Sequence, residues 1–330
     1  MAENFRALVV NKTEDDFSVD VKTLSFDDLP EGEVTIRTAY SSVNYKDGLA
    51  SIPNGNIVST YPFVPGIDLA GTVVSSTDHR FKEGDEVIAT SYEIGVTHFG
   101  GFSEYARVKA DWVVPLPKGL SLKEAMAYGT AGFTAALSVQ SLEQHGVLPD
   151  SGDIAVTGAT GGVGSLAVAI LAKLGYSVVA STGKESEHDY LKSLGAKKVV
   201  SREDVNPEKI RALGKQLWAG AVDPVGGKTL AALLSNTKYG GSVAVSGLTG
   251  GTSVPATVFP FILRGVNLLG IDSVYCPMEV RKPLWERMAN EMKPDSLLSD
   301  IGQEVDLDGL KDALSSILEG KVRGRTIVKF

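Results

Sequence analysis

Residues 154–175 read IAVTGATGGVGSLAVAILAKLG. An apolar run ends at Thr157-Gly158, a Gly-rich turn follows, and an apolar helix is expected to start near Val163. The turn has the form Ala159-x-Gly161-x-x-Gly164. At Gly161 no side chain keeps a pyrophosphate from the backbone, and at Gly164 the helix can lie close to the strand. The helix N-terminus adds free N–H groups and a partial positive charge. Such a turn is a weak motif alone. Between a strand and a helix in a βαβ series it points to dinucleotide binding, against the plainer reading of an ordinary tight turn.

About twenty residues beyond such a turn, an Asp or Glu normally closes the second strand and holds the adenosine ribose of NAD. Here the strand runs into VVASTGKE, residues 178–185. A carboxylate at that point would repel a ribose 2′-phosphate. Ser181 and Thr182 offer hydroxyls, Gly183 an open backbone and Lys184 a positive charge, and Arg202 in VVSRED can approach from the neighbouring loop. A guanidinium suits a phosphate dianion. The missing acid therefore selects NADPH. The competing reading makes Lys184 and Arg202 solvated surface charges, and Glu185 counts in its favour.

These residues need a framework. The first 120 residues hold short runs rich in Val, Ile, Thr and Tyr, separated by Gly and Pro signals, and read as β-rich. Ser121 with Glu124 forms a capping box that opens a helix. After Pro149 the pattern alternates. Strands are expected at 154–158, 177–181, 197–200, 220–225, 242–247 and 267–272, with helices GSLAVAILAKLG, ESEHDYLKSLG and NPEKIRALGKQLW between the earlier ones. Apolar strands alternating with helices mean a parallel sheet covered on both faces. The tail reads as a helix and a last strand, RTIVKF, able to return to the first domain.

The 330 residues are 43% hydrophobic and 22% charged, as in globular enzymes, with a net charge of -8. That balance argues against a nucleic-acid or anionic-membrane partner. The apolar segment 166–172 is too short to span a bilayer, and the N-terminus does not read as a signal peptide. One cysteine, Cys276, permits no internal disulfide and fits a cytoplasmic protein.

The motifs PGIDLAGTVV, KEGDEVIA, GTAGFTAAL, VTGATGGVGSLAVAILAKLGY and AVDPVGG, in this order along nearly the whole chain, resemble the zinc-free branch of the medium-chain dehydrogenase/reductases. SSVNYKDGLA, STGKESEHDYLKSLGA and VFPFILRGVNLLGIDSV are similar to a narrower group of quinone oxidoreductases that includes acryloyl-CoA reductases. The resemblance implies an α/β protein with a GroES-like β-rich catalytic domain, residues 1–122 and 297–330, and a Rossmann domain with a doubly wound parallel sheet, residues 123–296. It implies a cofactor cleft and a homodimer. It places Asn44, Tyr45 and Thr130 at the nicotinamide, and Thr160, Gly161, Gly162 and Val163 along the pyrophosphate. Ser181, Thr182, Gly183, Lys184 and Arg202 surround the 2′-phosphate, and Leu248, Ile262 and Ser273 line the far side of the cofactor.

Zinc members of that superfamily use Cys, His and carboxylate ligands. This chain has a single Cys, its histidines 79, 98, 145 and 188 are scattered, and Gly66-Ile67-Asp68 stands where zinc enzymes show Gly-His-Glu. Without a Lewis acid the substrate must bring its own electron sink. Quinones and alkenes conjugated to a carbonyl or thioester do so. In SSVNYKD, Asn44 and Tyr45 are candidate donors to a developing enolate. Tyr45 either supplies the α-proton or packs against the cofactor. Arg323, beside the ending GRTIVK, either binds a phosphate of cofactor or substrate or pairs with a carboxylate. VNLLGID reads as an apolar sheet edge that invites pairing with a second copy. A different class remains open, a redox sensor or structural protein that binds NADPH without turnover.

Overall fold

The computed structural model describes residues 4–295 and 297–330, which form two compact units. The first holds the chain through Thr130 together with Val274–Glu286 and Gly302–Phe330. The second holds Ala131–Ser273 and Arg287–Ile301.

The first unit is built on a largely antiparallel sheet. Its strands lie in the order Gly302–Asp306, Arg325–Lys329, Val34–Val43, Asp68–Ser76, Glu86–Thr90 and Val113–Pro115, and Tyr105–Val108 also pairs with Val34–Val43. Side chains alternate across a strand. Val34, Ile36, Leu69, Val73, Val87 and Ala89 accordingly share one buried cluster. The closing strand does return to this sheet: Thr326 lies opposite Val43, antiparallel. A hairpin of Asn4–Lys12 and Phe17–Ser25 packs Leu8, Val10 and Val19 with Leu310 and Leu314 of the helix Leu310–Leu318.

The second unit carries six parallel strands, in the order Lys198–Ser201, Ser177–Thr182, Asp153–Val156, Trp218–Asp223, Thr237–Val245 and Asn267–Gly270. The strand Trp218–Asp223 is buried throughout its length, as a central parallel strand must be. Asp153–Val156 and Trp218–Asp223 are neighbours from which the chain winds outward in opposite directions. An open sheet of this type binds ligand beyond the carboxyl ends of the strands at that switch point. The last strand, Asn267–Gly270, is an edge. Val266 and Leu269 turn inward while Leu268 is 44% exposed.

One expected helix is absent. Residues 206–217 are irregular, and Trp218 already opens a strand. Pro207 and Gly214 weaken the local helical preference. The segment finds its backbone partners elsewhere. The N–H of Gly214 donates to Ser235 O at 2.9 Å, that of Leu217 to Asn236 O at 2.8 Å, and Arg264 Nη2 donates to Gly214 O at 2.7 Å. No described helix is long and apolar enough to cross a membrane.

The capping box is formed. Ser121 N–H donates to Glu124 Oε2 at 2.9 Å and Glu124 N–H to Ser121 Oγ at 3.2 Å. The helix it opens, Leu122–Gln144, is broken at Gly129, whose φ of 53° and ψ of -157° are not helical. A Cβ there would lie 2.4 Å from Ser42 Oγ, 2.5 Å from Asp68 Oδ2 and 2.8 Å from Arg325 Nη2. Gly129→Ala is therefore expected to cost roughly 2–4 kcal/mol, from backbone strain plus displaced polar groups. The check is the thermal midpoint by circular dichroism, which should fall by several degrees. An unchanged midpoint would mean that the cluster around Gly129 yields without cost.

Candidate functional site

The Gly-rich turn follows the strand Asp153–Val156. Gly158 has a φ of 53°, in the left-handed region that favours glycine. A Cβ on Gly164 would lie 2.2 Å from Gly158 O, so helix and turn can approach this closely only without one. Ala159 is buried and donates its N–H to Ser181 O at 3.3 Å, tying the turn to the second strand. Gly161 precedes the helix Gly162–Lys173 and is exposed. The first N–H groups of that helix, at Gly162, Val163 and Gly164, have no acceptor within it and can serve an anion.

Beside this turn lies a cavity of about 410 Å³ in the second unit. Thr157, Gly158 and Thr160 line one part of it, and Ser181, Thr182, Gly183, Lys184 and Arg202 another. The Arg202 guanidinium lies over Gly183, and a Cβ there would meet Nη2 at 3.1 Å and Cζ at 3.3 Å. Thr182 Oγ1 accepts the Lys184 N–H at 3.1 Å, which leaves its own proton for a ligand. Ser181 spends its hydroxyl proton on Ser201 O at 3.2 Å. Ser201 in turn caps the short helix Arg202–Val205, its Oγ accepting the Asp204 N–H at 3.2 Å, and this places Arg202.

Lys228, Asn206 and Thr249 join the lining, and sequence reasoning missed all three. Lys228 Nζ donates to Glu208 O at 2.7 Å. Asn206 ends the short helix Arg202–Val205, Lys228 lies in the first turn of the helix Gly227–Asn236, Thr249 lies on a later loop, and none carries a local motif. The lining thus has three cationic side chains and no carboxylate. Of the other expected cofactor residues, Leu248 and Ile262 are 64% and 68% exposed, and neither lines this cavity. Ser273 is buried, and its Oγ accepts the Thr134 hydroxyl at 2.8 Å.

The first unit holds a buried polar cluster centred on Asp68. Its carboxylate accepts Ser42 Oγ at 2.6 Å, Asn44 Nδ2 at 2.7 Å, Thr130 N at 2.9 Å and Thr130 Oγ1 at 2.5 Å. The buried guanidinium of Arg325 stands 3.8 Å away and donates to Ser42 Oγ at 2.8 Å and Val43 O at 3.0 Å. Burial pulls the Arg325 pKa down, against the charges of Asp68 and Asp47. Asp47, fully buried, accepts the N–H groups of Asn44 at 2.8 Å and Ile67 at 2.9 Å. Burial, helped by the Asp68 charge, pushes its carboxyl up to about 7.

Asn44 gives one amide hydrogen bond to Asp68 and another to Ser42 O at 3.3 Å, so its contribution to Tyr45 is position. Tyr45 starts the helix Tyr45–Ala50 and is 48% exposed. The arginine in this cluster is Arg325, which sequence reading passed over. Arg323, the residue it singled out, is exposed. The alternation of RTIVK marks a strand and gives no sign that its first side chain meets a buried carboxylate. Among the described residues no three His, Cys, Asp or Glu side chains gather into a metal-binding group.

The chain is similar to known proteins in sequence and fold. Residues 30–118 match the alcohol dehydrogenase GroES-like domain, and residues 162–290 match the zinc-binding dehydrogenase family. YhfP of Bacillus subtilis is 64% identical over the full length of both chains, and its crystal structure, with NAD bound, superposes with a TM-score of 0.98. The acrylyl-CoA reductase AcuI of Ruegeria pomeroyi is 53% identical over 98% of each chain. The yhdH oxidoreductase of Salmonella enterica, solved in complex with NADP, is 48% identical over 98% of this chain and 99% of its own, with a TM-score of 0.96. Identity at this level along the whole length leaves one assignment: the chain belongs to the medium-chain dehydrogenase/reductase family of oxidoreductases.

Proposed function

We propose that this oxidoreductase works without zinc, takes NADPH, and reduces either an α,β-unsaturated acyl-CoA of the acryloyl type or a quinone. The observation that carries the cofactor choice is the cavity lining, with Lys184 and Arg202 beside Gly183 and no carboxylate. YhfP is known with NAD bound and the yhdH protein with NADP. The turn serves either pyrophosphate, so the preference must come from the 2′-phosphate. A charge-assisted phosphate contact is worth roughly 1.5–3 kcal/mol, about tenfold or more in affinity. Fluorescence titration should give NADPH a dissociation constant at least about tenfold below that of NADH. The Lys184→Ala, Arg202→Ala double variant should lose that preference. Equal constants in the wild type would remove the NADPH assignment.

The substrate class rests on AcuI, an acrylyl-CoA reductase, and on YhfP, whose name places it provisionally among quinone oxidoreductases. Bound in the cavity, NADPH supplies a hydride. The chain itself must hold the acceptor and deliver a proton. Tyr45, exposed beside the Asp68 cluster, is the residue for the reacting end, held there by Asn44. Its hydroxyl gives the α-proton of a reduced enoyl thioester, or its ring packs on the cofactor. A reduced quinone can take protons from water. Tyr45→Phe is therefore expected to slow acryloyl-CoA reduction by roughly 10²–10⁴ and benzoquinone reduction far less, with NADPH affinity unchanged. Equal slowing of both, together with weaker NADPH binding, would make Tyr45 a cofactor-positioning residue. Binding of NADPH with oxidation by neither acceptor would favour the non-catalytic sensor.

The reading includes a cytoplasmic homodimer. The strand Asn267–Gly270 leaves one edge without a partner among the described residues, and exposed Leu263, Leu268 and Ile262 lie on or near it. An apolar edge of this kind invites strand addition by a second copy. Light scattering at micromolar concentration should give twice the chain mass, and Leu268→Lys should shift it toward monomer. A wild-type monomer would show that the edge is otherwise protected.

A further inference from the structure

Asp223 ends the strand Trp218–Asp223 at the switch point of the sheet and has no exposed surface. A buried carboxylate next to an anion-binding cavity is an expensive choice unless donors meet it. Three do. Oδ1 accepts the Thr157 hydroxyl at 2.5 Å and the Val225 N–H at 3.0 Å, and Oδ2 accepts the Gly226 N–H at 3.1 Å. Thr157 and Val225 both line the cavity, with Gly158 and Gly250.

The turn that follows is tightly constrained. Gly226 and Gly227 have φ of 73° and 56°, and a Cβ on them would lie 2.6 Å from Gly247 O and 2.3 Å from Gly250 O. The Gly250 N–H donates to Val225 O at 2.7 Å, and the Ser246 N–H to Asp223 O at 3.0 Å. The Thr157-Gly158 turn and the turn 224–227 therefore meet at the Asp223 side chain, and the loop 246–250 is tied to them by backbone bonds.

We infer that Asp223 is a positioning residue for the cofactor: through Thr157, Val225 and Gly226 it holds two loops in the spacing that receives the pyrophosphate. The inference rests on the dinucleotide reading above and adds a residue to it. Asparagine at this position keeps the shape but turns an N–H donor toward one of the three existing donors, so the loops must part.

The test compares two ligands. NADPH needs the pyrophosphate cradle, whereas 2′-AMP reaches only the Lys184 and Arg202 end of the cavity. In Asp223→Asn the NADPH dissociation constant should rise about tenfold or more, with that of 2′-AMP within about twofold of wild type. Thr157→Val, which removes one donor and leaves the carboxylate, should weaken NADPH by a smaller factor. Thr157→Ser, which restores the hydroxyl, should return it to within about twofold of wild type. The Thr157 pair carries the test if Asp223→Asn does not fold. Equal weakening of both ligands would reduce Asp223 to a fold-maintaining residue and overturn the inference, as would unchanged NADPH binding beside a wild type that binds tightly. A wild type that binds 2′-AMP but not NADPH would overturn the dinucleotide reading and this inference together.

Discussion

A carboxylate with no exposed surface must have its charge met by the protein, and the first unit is arranged around that requirement at Asp68. Four hydrogen bonds reach it from Ser42, Asn44 and Thr130. Arg325 supplies the opposite charge from the last strand, and that strand must lie beside Val34–Val43 to do so. Gly129 must stay bare because a Cβ would enter the same space. Asn44 spends its amide on the cluster, and the helix bearing Tyr45 starts where Asn44 is held. Removing one partner would leave a buried charge uncompensated, at a cost of about 3–5 kcal/mol.

The second unit solves an electrostatic problem of the opposite sign. It must receive phosphates, and it supplies cations and backbone N–H groups while keeping carboxylates out of the lining. Two carboxylates nearby are spent internally. Asp204 closes the cap on Ser201, and Asp223 is enclosed by three donors. An acidic side chain at the position of Gly183 would lie against the Arg202 guanidinium and occupy it. Glycine leaves that cation available to a ligand.

The name of the matching family raises the matter of zinc. Its match covers 162–290, most of it in the nucleotide-binding unit, and so describes how the cofactor domain is built. The question of a metal belongs to the first unit, where Gly66-Ile67-Asp68 and the Asp68 cluster stand. Asp68 there is saturated by protein hydrogen bonds, with Arg325 in the neighbourhood that a cation would need. On the proposed function, the chemistry is left to side-chain donors and to the acceptor's own electron sink.

Much of this was legible in the sequence because it depends on neighbours along the chain. The βαβ alternation, the turn around Gly161 and Gly164, the Ser121–Glu124 cap and the absent acid after the second strand are local patterns with local physical causes. The helix expected across 206–217 failed because distant carbonyls and N–H groups at Ser235, Asn236 and Arg264 took over its backbone bonds. Arg325 was passed over for Arg323, since a strand pattern records which side chains alternate and not what lies opposite them. Lys228 and Asn206 reach the cavity only because separate crossovers end on the same side of the sheet. By itself the sequence determined most of the element types and the Gly-rich turn, each set within a few residues by backbone sterics and charge. Only the tertiary structure decided which partner each buried carboxylate meets, because Asp68 with Arg325 and Asp223 with Thr157 are pairs far apart in the chain that burial forces together.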